Sequence, residues 1–172
     1  MFGLRKPEPA PEGPVEFIVR IEVARPAADV YRLIDWADPA NAKVEQGHSV
    51  VPLNDDGRQF RLVMEGMEDL CFTMTVVEEQ PGRRYAYSTD ISPPVGRLEA
   101  SEEHYRVDPI DDDRCMLELK TNATFQRGLN MKQFEQELAM MSHACQRGVA
   151  KLKLHAEQGV DAVHAFDRQT GF

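Results

Sequence analysis

At 172 residues the chain fits one domain with a sizeable hydrophobic core. Charged residues make up 28% and apolar residues 42%, and no run approaches the roughly eighteen uncharged apolar residues of a spanning helix, so membrane insertion is excluded as an expectation. The net charge of −9, with no segment that concentrates Lys and Arg, repels phosphate backbones and argues against nucleic acid or an anionic membrane surface as partner.

In chain order, residues 1–14 include KPEPAPEGP, a proline-rich polar stretch that cannot pack a core and reads as a flexible arm. Residues 15–24 alternate, with Phe17, Val19, Ile21 and Val23 on one side and Glu16, Arg20 and Glu22 on the other, the pattern of a half-buried strand. Arg25-Pro26 breaks it and opens a helix whose buried face is Val30, Tyr31, Leu33 and Ile34, closed by Trp36. A second short helix is predicted at 38–42, capped by Asp38 with Pro39 in its first position. From Val44 the period changes to two. Strands are predicted at 44–53, 59–64, 70–78, 84–91, 97–107 and 115–125, separated by turn chemistries such as Asn54-Asp55-Asp56-Gly57, Pro81-Gly82 and Asp111-Asp112-Asp113, which suit antiparallel hairpins.

The chain closes on its longest element. Over 131–156, Met131, Phe134, Leu138, Met141, Cys145, Val149 and Leu152 recur at steps of three and four, one apolar stripe on a 3.6-period helix. Lys132, Glu135, Gln136, Gln146, Arg147, Lys151 and Lys153 occupy the other face and are predicted to be wet. At 1.5 Å per residue the rod is near 40 Å, about long enough to cross a small sheet. The main domain is thus predicted over 15–159, with 160–172 a tail of marginal helical character.

This order of elements, with IEVARPAADVYRLIDWADP at the opening, HYRVDPIDDDRCMLEL at the last hairpin and the amphipathic closing helix, resembles the helix-grip fold of the START/Bet v 1-like superfamily. That group is also called SRPBCC, or the polyketide cyclase/dehydrase and lipid-transport family. The resemblance implies an α+β fold, a curved antiparallel sheet of about seven strands wrapped around the C-terminal helix. It also implies a deep, mostly apolar cavity for lipids, polyketides or other hydrophobic molecules. Its members include carriers, cyclases and co-chaperone-like modules, so fold alone does not give function.

Strand parity says which side chains line such a cavity. Met64, Phe72 and Met74 face inward on the early strands; Tyr85, Tyr87, Ser101, Glu103, Tyr105, Leu117 and Thr121 do so on the late ones; Phe134, Leu138 and Met141 face it from the helix. A few polar groups converging in an apolar cleft is what a small-molecule site requires. Glu103 is the candidate acid or base, because desolvation in an apolar cavity would raise its pKa. Its strand is polar on both faces, and a slip of one residue would turn Glu102 and His104 inward instead.

Cys71, Cys115 and Cys145 are odd in number and unpaired in spacing, which suits a reduced, cytoplasmic protein. His48, His104, His143, His155 and His164 lack metal-ligand spacing, and there is no P-loop, GxGxxG or GxSxG, so neither metal nor cofactor is expected. The leading expectation is binding of a hydrophobic small molecule. A cyclase or dehydratase using Glu103 is the runner-up, a protein-interaction module the third, and self-association as a homodimer stays open. Convergent polar groups at one spot favour the enzyme, a uniformly apolar cavity the carrier, and a collapsed cavity the interaction module.

Overall fold

A computed structural model describes residues 8–171. The elements run β1 (Pro14–Val23), α1 (Ala27–Ile34), α2 (Ala42–Glu45), β2 (Ser49–Pro52), β3 (Gln59–Val63), β4 (Cys71–Gln80), β5 (Arg84–Ser92), β6 (Leu98–Pro109), β7 (Cys115–Phe125), α3 (Met131–Gln158) and α4 (Val160–Thr170). Successive strands from β2 to β7 pair as antiparallel neighbours and β1 returns beside β7, giving the order β1-β7-β6-β5-β4-β3-β2. The sheet curves around α3, as in the helix-grip fold.

The period-two segments form strands because their apolar face has a core to meet. In β7 every odd residue from Cys115 to Phe125 is buried and every even one only half so. Across the sheet, Val23, Phe60, Met74, Tyr85, Val107 and Leu117 join α1 and the middle of α3 in one cluster. A second cluster, Ala123, Phe125, Leu129 and Phe134, seals the end where α3 begins. The N-terminus of α3 is fixed by a capping box: Asn130 accepts from the Gln133 amide while the Gln133 side chain accepts from the Asn130 amide. Its 28 residues make a rod of about 42 Å.

The structure departs from expectation where tertiary contacts decide. The second helix begins three residues late. Asp38 is occupied by Arg32 and by the Ala40 amide in a turn, and Asn41 caps α2 instead, accepting from Lys43 N–H at 2.9 Å. Val44 therefore lies in that helix, and the first strand of the 44–53 segment shrinks to Ser49–Pro52. The tail is a helix, α4, whose Val163 is fully buried. Gly159, at φ +86°, makes the turn between α3 and α4 in a region that L side chains rarely adopt. Asp167 of α4 pairs with Arg147 and Lys151, so those two cations are covered rather than wet. Of the arm expected to be flexible, residues 1–7 lie outside the described residues. Glu8 to Ala10 pair with the start of α3, through Ala10 N–H to Leu129 C=O at 2.9 Å and Met131 N–H to Glu8 C=O at 3.2 Å.

Candidate functional site

The site is built on the inner faces of β3 to β7. Antiparallel register sets Tyr87 opposite Glu103, and Glu103 opposite Thr121, while Thr89 stands opposite Ser101. That settles the strand with the polar faces: Glu103 points inward, and Glu102 and His104 pair with each other on the outer face at 2.6 Å. From the helix, Met141, Ala144, Cys145 and Gly148 recur at three and four residues and meet the sheet's inner face. Between these elements lies a cavity of about 400 Å³ that opens to solvent beside Ala144 and Gly148, with Leu62, Met64, Phe72, Met74, Ile91, Leu98 and Leu119 as its apolar wall.

One polar cluster stands in that wall. Tyr87 Oη–H donates to Glu103 Oε2 at 2.5 Å, and Tyr105 Oη–H donates to the same oxygen at 3.3 Å. Glu103 Oε1 accepts no hydrogen bond among the described residues and is accessible from the cavity. Burial raises the Glu103 pKa above the ordinary carboxylate range, and the two phenols and the charge of Lys43 pull it only part of the way back. Burial first, then the Glu103 charge, pushes both Tyr87 and Tyr105 well up, so they stay protonated donors. Deeper in, the Cys145 thiol donates to Thr121 Oγ1 at 3.4 Å, and burial raises its pKa too. All three cysteines are free thiols.

Most of the residues expected at the site come together. Met64, Phe72, Met74, Tyr87, Ser101, Glu103, Tyr105, Thr121 and Met141 all line the cavity. Tyr85, Leu117, Phe134 and Leu138 do not. Tyr85 faces inward but under α1, its hydroxyl accepting from the Trp36 amide at 3.2 Å. Leu117 is fully buried in the main cluster, and Phe134 and Leu138 pack in the second cluster against Phe125. Parity gives the side of a sheet, whereas position along the strand decides whether a side chain meets space or another side chain.

Lys43 escaped the sequence reading. α2 is docked onto α3 by His155 and Glu45, whose Nε2 and Oε2 lie 2.5 Å apart, and this carries Lys43 to the cavity. There it lines both the main chamber and an adjoining smaller one of about 110 Å³. Trp36, Tyr87, Tyr105 and Gly148 are the other shared walls, and Leu33, Asn41, Gln46 and Lys151 are among the residues that line the rest of the smaller space. Burial, and next the Lys151 charge, lower the Lys43 pKa to about 8, against the opposing pull of Glu103 and Asp167. A lysine two residues after a capping asparagine carries no signal of such burial. Among the described residues no three His, Cys, Asp or Glu side chains gather as metal ligands.

A family model, described as polyketide cyclase/dehydrase and lipid transport, matches residues 14–157, from the first strand to nearly the end of α3. The chain belongs to that family. Solved structures agree on the fold. A START superfamily protein from Mycobacterium smegmatis is 17% identical with a TM-score of 0.50, covering 81% of this chain and 99% of its own. The di-domain ARO/CYC BexL from the BE-7585A biosynthetic pathway is 17% identical at a TM-score of 0.63, covering 86% of this chain and 46% of its own. The Aha1 dimer from Colwellia psychrerythraea is 13% identical at 0.58, covering 84% and 98%. At these identities the likeness is one of fold alone; it is the family match over residues 14–157 that supports the SRPBCC superfamily. No curated protein matches. Among the described residues no helix is long and apolar enough to cross a membrane.

Proposed function

We propose that the protein binds a hydrophobic small molecule, lipid or polyketide-like, inside the chamber between sheet and helix, with a hydroxyl of the ligand donated to Glu103 Oε1. The observation that carries this reading is an apolar cavity of about 400 Å³ whose polar atoms converge at one spot. A ligand burying about 300 Å² would gain roughly 7 kcal/mol from area removed from water, before the costs of association. Against the roughly 8 kcal/mol of a micromolar complex, that gross term caps the affinity for a molecule the site is not tuned for at micromolar at best. Native mass spectrometry of the protein purified without denaturation tests the proposal. A bound apolar species released on unfolding supports it. A protein that arrives empty and takes up no added lipid or aromatic polyketide overturns it.

A second reading rests on the state of Glu103. Its raised pKa, its accessible Oε1 and the two phenols that fix its orientation are what a general acid–base needs. In a dehydration it would take a proton from the carbon next to a carbonyl and return one to the departing β-hydroxyl, which leaves as water. Incubating a β-hydroxy ketone with wild type and Glu103→Gln separates the two: water loss in wild type alone is enzymatic, and unchanged substrate in both leaves a binding protein.

A further inference from the structure

The smaller chamber gathers donors that no side chain among the described residues engages. Lys43 makes no ion pair or side-chain hydrogen bond among the described residues, although it is half-buried in the wall common to both chambers. Gln46, only 8% exposed, likewise has no hydrogen bond to its side-chain amide. The indole N–H of Trp36, in the same shared wall, is buried without an acceptor. Asn41, by contrast, is spent on its neighbours: it donates to Asp35 C=O at 3.0 Å and accepts from the Lys43 amide. Tyr87 and Tyr105 are committed to Glu103. An ammonium held in low-dielectric surroundings with no carboxylate in direct contact is costly, and a ligand that brings an anion into contact reduces that cost.

We propose that the smaller chamber is a head-group site for an anion: the cavity takes an amphiphile whose carboxylate pairs with Lys43 and Gln46 while its chain lies along Met64, Met74 and Met141. This rests on the cavity-binding reading above and names the ligand class. The two chambers adjoin through Lys43, Tyr87 and Tyr105, so one molecule spans both. With a pKa of about 8, Lys43 is mostly charged at neutral pH and loses its charge in mild alkali. The charged and titratable groups around it are Lys151 of α3, Glu103 of β6, Asp167 of α4, His48 just after α2, and the phenols Tyr87 of β5 and Tyr105 of β6, which share both chambers with it. The charge of Lys151 disfavours the protonated form of Lys43, whereas Glu103 and Asp167 hold the proton on it.

The test compares decanoate with decan-1-ol, two chains of equal length that differ in head group, by isothermal titration calorimetry on the full chain. At pH 7 decanoate should bind roughly 10- to 100-fold tighter, the worth of a charge-assisted hydrogen bond. Lys43→Met should erase that preference while still binding decan-1-ol, and cooperative urea unfolding shows that the variant is folded. Lys43→Arg should keep the preference. Raising the pH to about 10 should erase it in wild type and in Glu103→Gln alike, since the titrating group is the amine. Equal affinity for the two probes overturns the head-group site and leaves the cavity reading standing. So does a preference that survives Lys43→Met. Binding of neither probe overturns both.

Discussion

Replacing Arg97 by methionine should destabilise the protein through a charge left behind. Arg97 Nη1 lies 2.8 Å from Glu137 Oε1; the Glu137 side chain is 6% exposed and that of Arg97 35%. The pair joins the first turns of α3 to the start of β6, beside Leu98 and Met141 in the cavity wall. Breaking a buried ion pair from one side costs about 3–5 kcal/mol, because the remaining ion is neither paired nor hydrated. Here Arg97 is one-third exposed, so water can follow it in, and the cost falls to about 2–3 kcal/mol. For a chain of this size that lowers Tm by roughly 5–10 °C. Replacing both residues by methionine removes the orphaned charge together with its partner, and that double variant should lie within about 1 kcal/mol of wild type. Urea unfolding of the four proteins closes a double-mutant cycle with a coupling of about 2 kcal/mol or more. Additive effects of the two substitutions, or an Arg97→Met protein as stable as wild type, would refute the reasoning.

Val149→Ala, at a fully buried position on the helix stripe, should cost about 1–3 kcal/mol, whereas the exposed Lys132→Ala should stay within roughly 0.5 kcal/mol; equal melting temperatures would show the stripe misassigned. Gly148 is helical, lines the cavity, and a Cβ there meets nothing within 4 Å. Gly148→Ala should therefore raise stability by about 0.5–1 kcal/mol in chemical denaturation, and a loss would mean that the helix is crowded there. Glu103 binds its proton more tightly folded than unfolded, so its contribution is full below the ordinary carboxyl range and is lost as pH rises through its raised folded pKa. Glu103→Gln keeps an acceptor for Tyr87 and cannot ionise, so its stability should fall less than that of wild type between acid and neutral pH. Parallel stability–pH curves would place the ionisation elsewhere.

The sheet was legible wherever alternation was strict. In β7 and β4, apolar residues at every second place have one consistent reading, and the structure buries that face. Residues 97–107 were ambiguous because both faces carry polar groups; pairing with Tyr87 and Thr121 decides the register, and no local signal holds that information. The same limit hid Lys43. A lysine in a four-residue helix reads as solvated, and only the docking of α2 on α3 through Glu45 and His155 takes it inside. Arg147 and Lys151 were read as wet for want of knowing that residues 160–170 fold back as α4 and present Asp167. α4 itself has no side-chain cap, so its start is marked by Gly159 alone. Within the helix stripe, Phe134 and Leu138 share the periodicity of Met141 but sit beyond the cavity's end, where Phe125 fills the space.

The central claim, that apolar ligands enter the space between β3–β7 and α3, is tested most directly by titrating an environment-sensitive apolar dye into wild type and Ser101→Phe. Ser101 is 7% exposed and lines the cavity, so a phenyl ring there occupies ligand space without touching the outer surface. Wild type should bind the dye at roughly micromolar concentration, with little dependence on salt because the driving term is buried apolar area. Ser101→Phe should lose that binding while retaining the cooperative unfolding of wild type. Equal dye binding by the two folded proteins would contradict the account.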